Sequence, residues 1–113
     1  MKKFLVLYRM DMAAMKKMME ETSKEEREKG MAEWGAWMKK NMSIFADMGG
    51  PTGKNMQVTS GGATRMSNDI GGYSIVQAES AEAAAKLLAD NPHFQMPGAV
   101  IDLAEIVQMG AKN

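Results

Sequence analysis

The chain has no cysteine. That excludes disulfides, thiolate metal sites and cysteine nucleophiles. It has one histidine, His93, so a site of two histidines cannot form within one chain. Acids and bases balance at fourteen each, for zero net charge. A strongly basic nucleic-acid surface and a field that steers the chain to membranes are therefore not expected. Long apolar runs are missing too. The start, MKKFLVLYRM, offers only Phe4–Tyr8 before Arg9, short of the about 7–15 residues of a signal-peptide core. No run approaches the roughly 20 residues of a membrane span. A cytoplasmic protein is the default expectation. No glycine pattern matches a dinucleotide or phosphate loop, and no cofactor or metal is expected.

What is present fits one soluble domain over residues 1–113, with 45% hydrophobic and 25% charged residues. Phe4–Tyr8 is β-rich and apolar on both alternations, the mark of a central strand covered on both faces. Residues 10–22 are methionine-rich and helix-permissive. Ser23 and Glu26 form an S-x-x-E capping box, so a long helix is expected from there. Met31, Trp34, Met38, Met42, Phe45 and Met48 follow the helical period, with Glu33, Lys40 and Asp47 on the wet face. Gly49-Gly50-Pro51 is read as its stop. Between residues 49 and 72, a strand is expected over Asn55–Thr59, a turn at Ser60-Gly61-Gly62 and a strand over Ala63–Met66.

Tyr73–Ala78 reads as the next strand. Ser80 caps a second helix with an inner face of Ala81, Ala84, Ala85 and Leu88. Asn91-Pro92 ends it, because the residue before proline disfavours the helical conformation. A loop from His93 to Gly98 leads to a last strand over Val100–Met109, and Ala111–Asn113 is a tail. The order is that of a ferredoxin-like β-α-β-β-α-β fold, of the α+β class, with a four-stranded antiparallel sheet. Right-handed crossovers put both helices on one face. The strands are apolar on the other face as well, so a second copy of the chain is expected to cover it.

Candidate chemistry starts with His93. It could serve as a general base with Asp69 or Asp102, since histidine titrates near neutral pH. The competing reading is a histidine that packs a loop. Asp102 and Glu105 fall on opposite faces of the last strand, and Arg9 on the neighbouring first strand is the natural partner of a carboxylate there. Such a pair can be a polar centre in a pocket or a structural ion pair. Met10, Met12, Met15, Met18 and Met19 invite a Cu(I) reading, but methionine also fills irregular cores. Trp34 and Trp37 fit a groove wall.

Several short stretches resemble the YCII-related proteins, including the DGPF-domain branch. They are Gly71-Gly72-Tyr73, Ser80-Ala81-Glu82-Ala83-Ala84, Asn91-Pro92, Pro97-Gly98, the final VIDLAEIVQM, the early FLVLYR and a first helix carrying Trp34. The resemblance implies a dimeric α+β barrel of ferredoxin-like subunits. Most members have no assigned activity, while a related dehydrochlorinase of a ring-cleavage pathway implies that the fold can carry catalysis. Members of the first branch often have a histidine in the first helix with an acidic partner, proposed as catalytic; Glu33 and Trp34 stand there instead. The DGPF string is absent, and Asp69 is the residue that carries over from it. Two functions are therefore expected to compete. One is a homodimer that binds a small ligand between sheet and helices, with Arg9, Trp34, Tyr73 and Asp102 at the site. The other is a cofactor-free lyase or isomerase that uses His93 with Asp69 or Asp102.

Overall fold

A computed structural model describes residues 1–107. Strand β1 (Lys2–Arg9) is followed by helices α1 (Met12–Glu21) and α2 (Lys24–Lys40) and strand β2 (Phe45–Pro51). A short hairpin, β3 (Met56–Thr59) and β4 (Gly62–Arg65), precedes β5 (Ile70–Ala78), α3 (Ala81–Leu88) and β6 (Val100–Glu105). The main sheet is four-stranded and antiparallel, in the order β2-β5-β1-β6. This is the ferredoxin-like order, with β1 and β5 central. No helix among the described residues is long and apolar enough to cross a membrane.

The two alternations of β1 separate as a pleated strand requires. Phe4, Val6 and Tyr8 are buried beneath α2 and α3, in one core with Trp37, Val76, Ala84 and Leu88. Leu5, Leu7 and Arg9 point the other way and stay half-buried, as do Tyr73 and Ile75 beside them on β5. Two polar groups inside the core are paired, because an unpaired one would cost about 1–3 kcal/mol. Tyr8 Oη lies 3.0 Å from Ser74 Oγ, which donates in turn to the Met48 carbonyl at 2.9 Å. Burial pushes the Tyr8 phenol up, and its bond to Ser74 offsets part of that rise.

The helix starts follow their caps. Asp11 accepts from Ala14 N, Ser23 from Glu26 N and Ser80 from Ala83 N. The buried stripe of α3 is narrower than its alanine pattern implied: Ala84 and Leu88 are buried, while Ala81 and Ala85 are exposed.

The long helix is shorter than its apolar period predicted. It ends at Lys40, where Asn41 donates both its backbone N–H and its side-chain amide to the Trp37 carbonyl. Met31, expected on the inner stripe, is exposed. Phe45–Pro51 is not its last turn but the edge strand β2, and Phe45 stacks edge-on to Trp37 at 5.8 Å. Gly49-Gly50 is therefore no helix stop. The β2–β5 register slips between Asp47 and Gly50, and Gly49 has φ of +68°. A Cβ there would lie 1.9 Å from the Tyr73 carbonyl oxygen. This is a strand bulge that only glycine fits. The second strand of the fold is consequently β2, and among the described residues the strands expected at 55–66 pair only with each other. The last strand ends at Glu105; Gln108, Met109 and the expected tail at 111–113 lie outside the described residues.

Two neighbouring substitutions separate strand from helix. In an exposed helix, Gly→Ala stabilises by about 1 kcal/mol. In this bulge Gly49→Ala is expected to destabilise by about 2 kcal/mol or more. Gly50→Ala meets open space and is expected to stay within about 0.5 kcal/mol. Urea denaturation of the two variants measures the contrast.

Candidate functional site

Arg9 closes β1, and its neighbourhood is set by backbone register. After Tyr8 the pairing with β5 slips, so Arg9 faces Ile70 rather than Gly71. The slip brings Asp69 beside the guanidinium. Nε donates to Asp69 Oδ1 at 2.9 Å and Nη2 to Oδ2 at 2.8 Å, a bidentate pair. Nη1 donates to Asp102 Oδ2 at 2.6 Å. Asp102 pairs with Leu7 across β1–β6, on the same sheet face as Arg9. One guanidinium thus holds two carboxylates, and the trio keeps one surplus negative charge. The hydrogen bonds from Arg9 hold the Asp69 carboxyl below the usual carboxylate range, and those to Asp69 and then Asp102 keep the guanidinium cationic throughout. All three side chains are 39–48% exposed, so solvent screens the pairs.

Asp69 is also a wall of an open cleft of about 430 Å³ at this end of the sheet. Met10, Asp11 and Met12 line it where β1 passes into α1, Ser67 and Asn68 where β4 passes into β5, and Gly98 from the loop before β6. Backbone bonds join these segments: Met10 N to the Asp69 carbonyl at 2.8 Å, and Asp11 N to the Pro97 carbonyl at 3.0 Å. Gly98 has φ of +66°, and a Cβ there would sit 3.2 Å from the Asp11 side chain. The cleft offers carboxylates and a serine hydroxyl against two adaptable thioether chains. It can hold a small molecule with a polar edge and an apolar body.

His93 sits behind this corner, in the turn Pro92–Gln95, and is 1% exposed. Nε2 lies 2.8 Å from the Arg9 carbonyl and 3.1 Å from that of Val100. Carbonyls only accept, so Nε2 carries the proton and donates to both. Its ring is also edge-on to Tyr8. The imidazole is thus bound to the backbone of Arg9, and no hydrogen bond joins it to Asp69 or Asp102. Asn91 caps the same turn, accepting from His93 N at 2.7 Å, and its buried Nδ2 has no hydrogen-bond partner among the described residues.

Of the residues picked out by sequence, the fold unites Arg9, Asp69 and Asp102. Trp34 lies on the helix side, edge-on to Tyr8 at 5.5 Å. Tyr73 lies on the opposite face and donates its hydroxyl to Asp47 at 3.4 Å. Neither lines the cleft. Glu105 stands apart from Arg9, near Lys2 at 3.8 Å. Of the other cleft walls, Met10 and Met12 were singled out only for a Cu(I) or core-filling reading and Gly98 only in the Pro97-Gly98 pair; Asp11, Ser67 and Asn68 were not anticipated.

No family model matches the chain, and no curated sequence does. Its fold is similar to that of a solved enzyme, the 5-chloro-2-hydroxyhydroquinone dehydrochlorinase TftG from Burkholderia phenoliruptrix AC1100, in complex with 2,5-dihydroxybenzoquinone. The similarity covers 88% of this chain and 90% of that one, with a TM-score of 0.51 and 14% sequence identity. The shared feature is the fold.

The Arg9–Asp69 pair has a pH signature. A carboxyl held low in the folded state adds stability above its unfolded pKa of about 3.9, and loses it as pH falls through the lower folded value. Asp69→Asn is expected to be less stable than wild type at pH 7, with the gap closing below about pH 4. Urea midpoints at pH 7 and at about pH 2.5 read the gap; a constant gap contradicts the assignment.

Proposed function

We propose that this protein is a small, cytoplasmic, dimeric ligand-binding protein of the YCII-related type, one domain over residues 1–113, paired through the open face of its sheet. Its ligand is a small, partly apolar molecule held in the cleft beside Arg9, Asp69 and Asp102. The observation that carries this reading is the bidentate Arg9–Asp69 pair at 2.8 and 2.9 Å, whose Asp69 is a wall of the cleft. A guanidinium has five N–H donors, and three are engaged here. The other two remain for a ligand oxygen or water. Tyr73 and Trp34 act in this reading at a distance, as parts of the open face and of the core beneath the site.

The second reading is a cofactor-free lyase or isomerase using His93 with Asp69. It has less support. Nε2 donates to two carbonyls, and no hydrogen bond links the ring to either carboxylate.

Thermal melts with 2,5-dihydroxybenzoquinone and a set of simple phenols as probes test the binding reading. At least one probe is expected to raise the wild-type Tm progressively with its concentration, as a ligand that binds only the folded state must. The rise is expected to be lost in Arg9→Ala. A wild type that no probe shifts, or an Arg9→Ala that shifts equally, contradicts the reading.

A further inference from the structure

The β2–β5 ladder does not stop at the edge of the main sheet. Thr52 N donates to the Gly71 carbonyl at 3.1 Å, and Asn55 Nδ2 donates to Asn68 Oδ1 at 3.2 Å. Met66 N then bonds the Asn55 carbonyl, and β3–β4 continues from Met56↔Arg65 to Thr59↔Gly62. The hairpin is thus the outer end of one long two-stranded ribbon, projecting roughly 15 Å beyond the sheet at about 3.4 Å per residue. All its strand residues are exposed. Strand alternation and pairing place Met56, Val58, Ala63 and Arg65 on one face, with Gln57, Thr59 and Thr64 on the other. Val58 is 77% exposed. The projection makes the chain extended, with a radius of gyration of 16.1 Å against about 13 Å for a compact domain of this length.

A two-stranded hairpin is marginal in water on its own, and its free edges and apolar face are a liability unless covered. Area and charge both point to a second copy as the cover. Four strands about 4.8 Å apart and six residues long span on the order of 400 Å² in projection. A stable interface uses about 800 Å² on each partner, so the open sheet face alone falls short. Packed sheets lie about 10 Å apart, so in a pair joined through the open face a ribbon running on from the strand ends of one sheet would reach toward the other subunit. The arm is basic: Lys54 and Arg65 are its charges, with no acid between Pro51 and Met66. Residues 20–28, around the α1–α2 corner, hold five glutamates against Lys24 and Arg27, so the chain also carries a stretch of the opposite charge.

We propose that the Met56–Arg65 hairpin is a dimerisation arm, whose Met56–Val58–Ala63 face packs on a second copy of this chain. The inference rests on the reading of the open sheet as a dimer seam. It also ties assembly to the site. Asn68, at the root of the arm, accepts from both Asn55 Nδ2 and Ile70 N, and it adjoins Asp69 in the cleft wall. An arm held by the partner therefore steadies that wall.

Sedimentation velocity over a concentration series of the full chain tests this, with Val58→Lys, Val58→Ser and, on the opposite hairpin face, Thr64→Lys. The wild type is expected to dimerise. Both Val58 variants are expected to weaken the dimer by about tenfold or more with unchanged far-UV circular dichroism, and Thr64→Lys to leave it within about twofold of wild type. A wild-type dimer that neither Val58 variant weakens overturns the arm and leaves the sheet seam standing. Equal weakening by Thr64→Lys also overturns it. A monomeric wild type removes the seam and the arm together.

Discussion

Strand β1 is apolar on both faces, and a strand of that kind must be covered twice. Most of the molecule follows from this constraint. On one side Phe4, Val6 and Tyr8 draw Trp37, Ala84 and Leu88 over them, and that single layer fixes where α2 and α3 lie. On the other side Leu5 and Leu7, with Tyr73 and Ile75 from β5, remain half-buried. Burial contributes on the order of 25 cal/mol per Å² of apolar area removed from water. In the proposed dimer a second copy supplies that gain, and the projecting hairpin extends the same logic beyond the sheet.

The end of β1 is where structure passes into chemistry. Arg9 is held at both ends: its carbonyl by the buried imidazole of His93, its guanidinium by Asp69 and Asp102. His93 thus acts on the site through the backbone, by fastening the turn Pro92–Gln95 to β1 and β6. The charged trio sits at the surface, where Arg9 hydrogen-bonds both carboxylates and water still reaches them. The surplus negative charge favours a ligand that brings hydrogen-bond donors to the carboxylates.

Much of this was readable from residues alone where the signal is local. The two-faced β1, the Ser23 and Ser80 caps and the glycine turn of the hairpin are set by side chains within a few positions of each other. The failures share one cause, a tertiary contact that overrides local pattern. Met42, Phe45 and Met48 keep a helical period, yet Phe45 gains more by packing on Trp37 in an edge strand. Gly49 reads as a helix stop, while its conformation answers to a carbonyl on β5. At the site, the Arg9–Asp102 pairing follows from strand adjacency and was accessible. Asp69 reaches Arg9 only because the register slips after Tyr8, which no local spacing encodes. His93 was open to two readings, a general base or a histidine that packs a loop; it is buried and donates to backbone, because the turn that carries it is folded under the sheet's end.

The central claim is that the sheet face bearing Leu5, Leu7 and Ile75 belongs to an interface. Small-angle X-ray scattering from the full chain at micromolar concentration tests it directly. The expected result is a scattering mass twice the 12.4 kDa of one chain, with a radius of gyration above the 16.1 Å of a single subunit. A single-chain mass with a radius near 16.1 Å, unchanged on raising the concentration, would contradict it.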